Sequence, residues 1–522
     1  MVSFTTIDCV VILLFISFFI WWGLKHGKSS DSQSYFLAGR STSWWIIGFS
    51  LFTASISSTT LIGQSGDAYH TGISVYNYNL TGVVVMIIFA IFLLPLYIKS
   101  KIFTIPEFLE KRFDKRSRFF LSAICIIGNI FLDAAGALYA GALIIKLIYP
   151  DVDIQVVIIV FAVIAASYTI PGGLSSVIKT ELIQALILIV GTVILSYFCF
   201  RQGGEYLFNL FDSEDKLLKL IRPIDDSSTP WLGVILGMPI LGMYFWSNNQ
   251  TMVQRILSAK SVDEGRKGLM LTGLLTMIVM FLITISGVMA KSLFPNLENP
   301  DLVYPTMIVK LLPSGFFAII LVTLLAALLS AISSILNATA TLFTMDFFTH
   351  INKRANSKQL VLVGKITSIV VIIIATLWAP QIGKFGSLLK YYQEMLSYLS
   401  PPVVAVFLLG IFNKRVNGNG AFAGLIAGGA IAICLLLFKS DLLGDIHFLL
   451  VVPFVFAISL LVIYVASLFS PAPLADKIEN LIFTPSSFKN DLSDMKNSYY
   501  KSYLFWASIL LLFAFTIWIV LD

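Results

Sequence analysis

The chain has 522 residues, 57% of them hydrophobic and only 12% charged, with a mean hydropathy of +0.89. A soluble domain carries about 25% charged residues, so the composition excludes one and defines a polytopic membrane protein. The net charge of +6 calls for no nucleic-acid partner, because the basic residues sort into loops on one side of the predicted spans.

At about 20 residues per span, the sequence predicts an all-α protein of about 14 transmembrane helices. Their ranges are 5–25, 43–66, 74–98, 119–148, 153–170, 175–200, 231–257, 266–291, 315–348, 359–380, 387–413, 419–438, 446–469 and 500–521. The first apolar run, Ile7–Leu24, has no basic segment before it and no small-residue cleavage site after it, so it is expected to stay as a span. Cys9, Cys125, Cys199 and Cys434 all fall in apolar runs, which argues against a disulfide framework or a zinc site. With both termini outside, the cytoplasmic loops hold roughly 25 of the 35 Lys and Arg, as the positive-inside rule asks. Short loops, and no Asn-x-Ser/Thr in an outside loop, point to a bacterial inner membrane. No nucleophile, metal or cofactor motif supports an enzyme.

The span at 43–66 is unusual. Its middle carries Thr53, Ser55, Ser57, Ser58, Thr59 and Thr60, followed by Gly63 and Gly66. Such a stretch suits a broken, ligand-coordinating helix, since irregular backbone at membrane depth survives only in protein or along a cavity. Small residues for close packing, with hydroxyls bonded back to the preceding turn, are the other reading. The span at 231–257 is interrupted in a corresponding way, with Gly237 and Pro239 followed by the polar run Ser247–Thr251. Five spans at 43–200 and five at 231–413 therefore read as two inverted repeats, whose interrupted leading helices flank a binding site. Residues 1–42 form an extra helix and loop, 201–230 an outside loop, and 414–522 three peripheral helices.

Several motifs in one order resemble a known family: WWIIGFSLF (44–52), TIPEFLEKRFDKRSR (104–118), YTIPGGLSS (168–176), NNQTMVQRILSAKS (248–261), LNATATLFTMD (336–346) and YLSPPVVAVFLLGIFNKRV (398–416). They resemble the sodium/solute symporters, in particular the sugar branch that includes the sodium/glucose cotransporters, over about 36–416. The resemblance implies a LeuT-type 5+5 inverted-repeat core, with one helix before it and three after, and alternating access driven by a co-transported sodium ion.

It also implies residues. The shared sodium site falls on Thr53, Ile56, Ala327, Ser330 and Ala331, where Ala331 stands in place of the usual hydroxyl. A second ion or coupling site, resembling that of the sialic acid transporters, falls on Glu181, Ser333 and Ser334. An acid inside a span is costly unless it pairs or binds a cation; pairing with Lys179 near the interface is the alternative for Glu181. Gln393 and Asn249 match sugar-contacting residues. Thr60, Asn79 and Thr276 replace a Gln or His, an acid and a lysine. Losing the acid and the lysine together leaves no orphan charge.

Asp133, in the middle of a span, is expected to face the cavity or pair within the bundle. Tyr78, Trp246, Tyr391 and Tyr392 are gate candidates, while Thr251 stands where some relatives place a gating tyrosine. The function expected is sodium-coupled symport of a small polar solute, a sugar or sugar derivative. Proton coupling, uptake of sialic acid or another solute, and a transporter-like sensor or leak channel are the alternatives. A carboxylate solute is disfavoured because no intramembrane arginine is expected near the site. The partners expected are the solute and the lipid bilayer, with no nucleic acid.

Overall fold

The computed structural model describes residues 6–26, 31–212, 216–313, 316–385, 388–444, 446–485, 500 and 502–521. These are helical throughout, and the only β pairing among them is two isolated bridges. Ten helices are each long and apolar enough to cross a membrane, and the bent pair Trp44–Ser55 and Ser58–Thr71 makes eleven. Every range predicted from the sequence has a helical counterpart. The first is the shorter apolar helix Val10–His26, and that at 231–257 is divided into Trp231–Met243, Tyr244–Asn248 and Gln250–Leu257.

One continuous helical stretch, Ile154–Asp212, covers two predicted spans. As a straight helix its 59 residues would run about 90 Å, three times the hydrocarbon core. The chain instead reverses at Gly173, whose φ of 58° and ψ of −160° are not helical. Residues on both sides of it meet neighbouring turns of another helix. Before the reversal, Tyr168 donates to the Leu329 carbonyl at 3.1 Å; after it, Glu181 accepts from Ser334 Oγ at 2.7 Å. A Cβ at position 173 would stand 2.5 Å from the Tyr35 carbonyl oxygen.

That other helix, Phe317–Leu342, is the axis of the bundle. Every residue in it except Ile319 is buried, as expected of a helix that is apolar all round. Peripheral helices turn large side chains outward, including Leu377, Leu437, Phe454 and Leu512, each more than 60% exposed. In a membrane that belt faces lipid.

The recurrent motifs at one end are largely architecture. Arg112 is fully buried and donates to the carbonyls of Gly410, Asn413 and Val416. Arg118 binds Asp346 at 2.6 Å and Glu110 at 2.5 Å, while Thr104 and Ser122 also donate to Asp346. Three distant stretches are thus riveted by two arginines, Arg118 through its ion pairs and Arg112 through backbone carbonyls.

Candidate functional site

The span at 43–71 is broken, and its two halves meet at 62°. Trp44–Ser55 ends at Ile56, which is extended (φ −110°, ψ 98°). Ser58–Thr71 then starts behind a reciprocal cap. Ser57 Oγ accepts from the Thr60 N–H at 3.2 Å, and Thr60 Oγ1 accepts from the Ser57 N–H at 3.4 Å. Such a box satisfies two donors that a helix start leaves orphaned. Both sequence readings of the hydroxyls hold in part: Thr53 and Ser55 do bond back, to the carbonyls of Phe49 and Phe52. Thr53 also donates to the Glu181 carbonyl at 3.1 Å.

The second interruption takes a different form. Tyr244–Asn248 is a π-helical turn, followed by Asn249 in extended backbone (φ −78°, ψ 123°). Asn249 caps the next helix, its Oδ1 accepting from the Thr251 N–H at 2.8 Å. A further π turn, Asn129–Ala134, carries Asp133. π turns re-aim side chains and recur at functional sites; here each brings two residues, Leu132 with Asp133 and Phe245 with Trp246, to one cavity.

That cavity has about 180 Å³ of water-accessible space, many times the roughly 10–15 Å³ one water requires. All six predicted solute contacts line it: Thr60, Asn79, Asp133, Asn249, Thr276 and Gln393. So do Tyr78, Trp246, Tyr392, Thr251, Ile56 and Ala331. The side chain of Tyr391 lies outside the described residues. Gln64 was missed from sequence. It is buried, lines the cavity, and its Nε2 reaches Asn79 Oδ1 at 3.0 Å and Thr284 Oγ1 at 3.1 Å. The hydroxyls of Thr251 and Thr276 are buried there without a hydrogen-bond partner. Asp133 is the only charged residue among the described residues of the lining, and Tyr392 is hydrogen-bonded to it.

A second, larger cavity of about 1,100 Å³ shares Tyr78 and Gln393 with the first. Asp67, Asp225, Asp226 and Glu298 line it with His70 and His447, and no Lys or Arg is among its described residues. Burial alone would raise the Asp226 carboxyl. The Ser228 hydroxyl and N–H, the Thr229 N–H and nearby Arg222 outweigh it and hold the group below the usual carboxylate range.

Beneath the first cavity stands a polar, closed layer. All eight residues of Gln250–Leu257 are buried. Arg255 corrects the expectation that no arginine lies near the site. It is 1% exposed and ion-paired with Glu181, to which its Nε donates at 3.1 Å. Its other donors go to Ser334 Oγ and the Thr251 carbonyl. Glu181 also accepts from Ser50, Ser334 and Ser330, the last at 3.4 Å. Lys179, by contrast, is exposed. One carboxylate and one guanidinium therefore join four helical segments.

The residues expected around sodium divide here. Thr53 and Ser330 both contact Glu181, while Ile56 and Ala331 line the cavity above it. Ala327 is buried on the same central helix. Ser333 parts from its neighbours: its hydroxyl donates to Tyr168 at 2.6 Å and accepts from Thr169 at 2.7 Å.

A broken helix, a polar cavity beside it and a closed layer below define a secondary transporter of the LeuT type. Solved structures share the fold. A sodium-coupled sialic acid symporter in an outward-open state superposes with a TM-score of 0.80, at 24% identity over 90% of this chain and all of that one. A nucleobase-cation-symport-1 transporter gives 0.58, at 13% identity over 87% of this chain and 99% of that one.

The family follows from sequence. The model of the sodium:solute symporter family matches residues 35–428, and the chain belongs to that family. The sodium/glucose cotransporter 1 of Oryctolagus cuniculus is 32% identical, over 87% of this chain and 77% of the relative. The sodium/myo-inositol cotransporter 2 of Homo sapiens is 31% identical, over 91% and 78%. The protein is thus a multi-pass membrane symporter that couples sodium to a small organic solute, not an enzyme.

Proposed function

We propose that the solute is a sugar or sugar derivative, taken up by alternating access. The observation that carries this reading is the lining of the 180 Å³ cavity: amides and hydroxyls of Gln393, Asn249, Asn79, Thr60 and Thr276 beside the rings of Trp246 and Tyr78. A sugar needs that mixture of two-way hydrogen bonding and an apolar face.

In this reading sodium sits at the break, on the carbonyls of Thr53, Ile56 and Ala327 and the Ser330 hydroxyl, with Ala331 offering none. Hard cations favour such oxygens. Glu181 serves coupling through Arg255 rather than as a bare ligand, because its charge is already answered. A carboxylate solute has less to recommend it, since Arg255 is engaged by Glu181. The two repeats at 43–200 and 231–413 rock against each other. Both termini lie outside a bacterial inner membrane, so the acidic cavity faces outward and the Gln250–Leu257 layer faces the cytoplasm. One charge moved inward yields about 2.3 kcal/mol per 100 mV.

The test is uptake by purified protein in liposomes under an imposed sodium gradient, with a labelled sugar panel. Sodium-driven accumulation, lost in Gln393→Ala and Ser330→Ala, is the expected result. If a proton gradient alone drives uptake, the sodium assignment fails; if neither gradient moves a sugar, the substrate assignment fails.

A further inference from the structure

The central cavity holds a carboxyl, that of Asp133, with no Lys or Arg beside it among the described lining residues. Two fully buried carboxylates of the bundle have cations: Glu181 has Arg255, and Asp346 has Arg118. Asp133 has none among the described lining residues; its hydrogen-bond partner is the uncharged Tyr392. A carboxylate within a membrane bundle calls for a cation or a dense set of donors. The π turn at Asn129–Ala134 aims Asp133 into the space a solute would fill, beside four rings: Tyr78, Phe245, Trp246 and Tyr392. A carboxylate within an aromatic wall is the chemistry that receives an ammonium, by ion pairing and by attraction to the ring faces.

The approach has the same sign. The adjoining larger cavity presents four carboxylates and two imidazoles, with no Lys or Arg among its described residues. Such a lining concentrates cations and repels anions. Sodium alone does not account for Asp133, because the oxygens at the helix break are those of backbone and hydroxyl groups.

We propose that the transported sugar carries an amino group, whose ammonium sits on the Asp133 carboxylate within this aromatic wall. The proposal rests on the sugar-symport reading above and narrows it to amino sugars and aminated polyols.

The experiment uses the full-length protein in liposomes under an inward sodium gradient, at neutral pH, where the amine is still largely protonated and a carboxyl is not driven to its neutral form. Glucose, 2-amino-2-deoxyglucose and the neutral N-acetyl form of the latter are compared for uptake and mutual competition. The amino sugar is expected to compete at concentrations about tenfold lower than either neutral sugar, the equivalent of about 1.4 kcal/mol. In Asp133→Asn that preference disappears, and in Asp133→Glu, which keeps the charge, its order is retained.

Equal or better uptake of glucose by the unaltered protein overturns the proposal while leaving sugar symport standing. So does an Asp133→Asn variant that keeps the preference but needs more sodium for every sugar, because Asp133 is then the counter-charge of the ion. Transport of no sugar overturns both readings. The preference of the unaltered protein decides the matter even if a variant fails to fold.

Discussion

Trp246 owes its place to a glycine. A Cβ at Gly82 would stand 3.1 Å from its indole nitrogen, so Gly82→Val is expected to push the ring into the cavity. Overpacking of this kind costs about 1–3 kcal/mol. Solute affinity should fall by tenfold or so, on the scale of about 1.4 kcal/mol per decade, with a changed tryptophan emission and an unaltered elution profile. Arg255 makes a sharper case. Arg255→Met leaves Glu181 buried with no counter-charge, which costs about 3–5 kcal/mol. The double variant Arg255→Met/Glu181→Gln should recover most of the lost thermal stability in detergent. If the double is as unstable as the single, the ion pair is not what holds that layer.

Sequence made the lining residues legible because each departs from its surroundings: an acid in an apolar span, or an amide in a matched motif. The pairings were not legible. Nothing in the spacing of 181 and 255 brings those side chains together; the reversal at Gly173 and the second helix break do. Gln64 was passed over because a lone glutamine beyond the hydroxyl run carries no pattern, and its meaning appears only with Asn79 and Thr284 around its amide.

At the scale of elements, the break at Ile56 is held open by its cap. Ser57→Ala with Thr60→Val removes both bonds of the reciprocal box, and losing an N-cap costs about 1 kcal/mol. The sodium concentration for half-maximal uptake should rise several-fold while the protein still folds. An unchanged sodium dependence would separate the cap from the ion site. Gly173 is a second lever. With φ at 58° and the Tyr35 carbonyl 2.5 Å from any Cβ, Gly173→Ala is expected to abolish assembly of the bundle, read as loss of folded protein by size exclusion. Element positions were readable along the chain, since hydropathy and length decide them. The π turns were not: Tyr244–Asn248 and Asn129–Ala134 leave no mark in composition, and they depend on neighbours that accept a widened turn.

For the whole molecule, an ion that binds only one arrangement of two repeats must stabilise that arrangement. The melting temperature is expected to rise with sodium and not with potassium at equal ionic strength, in proportion to the logarithm of free sodium above its dissociation constant. A rise common to both salts would mean screening instead. The two interrupted helices were the most readable feature at this scale, because Gly, Pro and hydroxyls announce them. The riveting of its loops by Arg112 and Arg118 was visible only as motif, with no hint that those motifs serve architecture.

The helix Gln250–Leu257 has every residue buried, although Gln250, Thr251, Gln254 and Arg255 are polar. In the proposed orientation this helix closes the cytoplasmic side, and opening it means wetting it. Turning inward is therefore a hydration event as much as a rotation, and the water it draws in sets its osmotic sensitivity. Solutes excluded from the protein surface favour the drier state, so osmotic stress on the cytoplasmic side should slow delivery of the solute without weakening its capture outside.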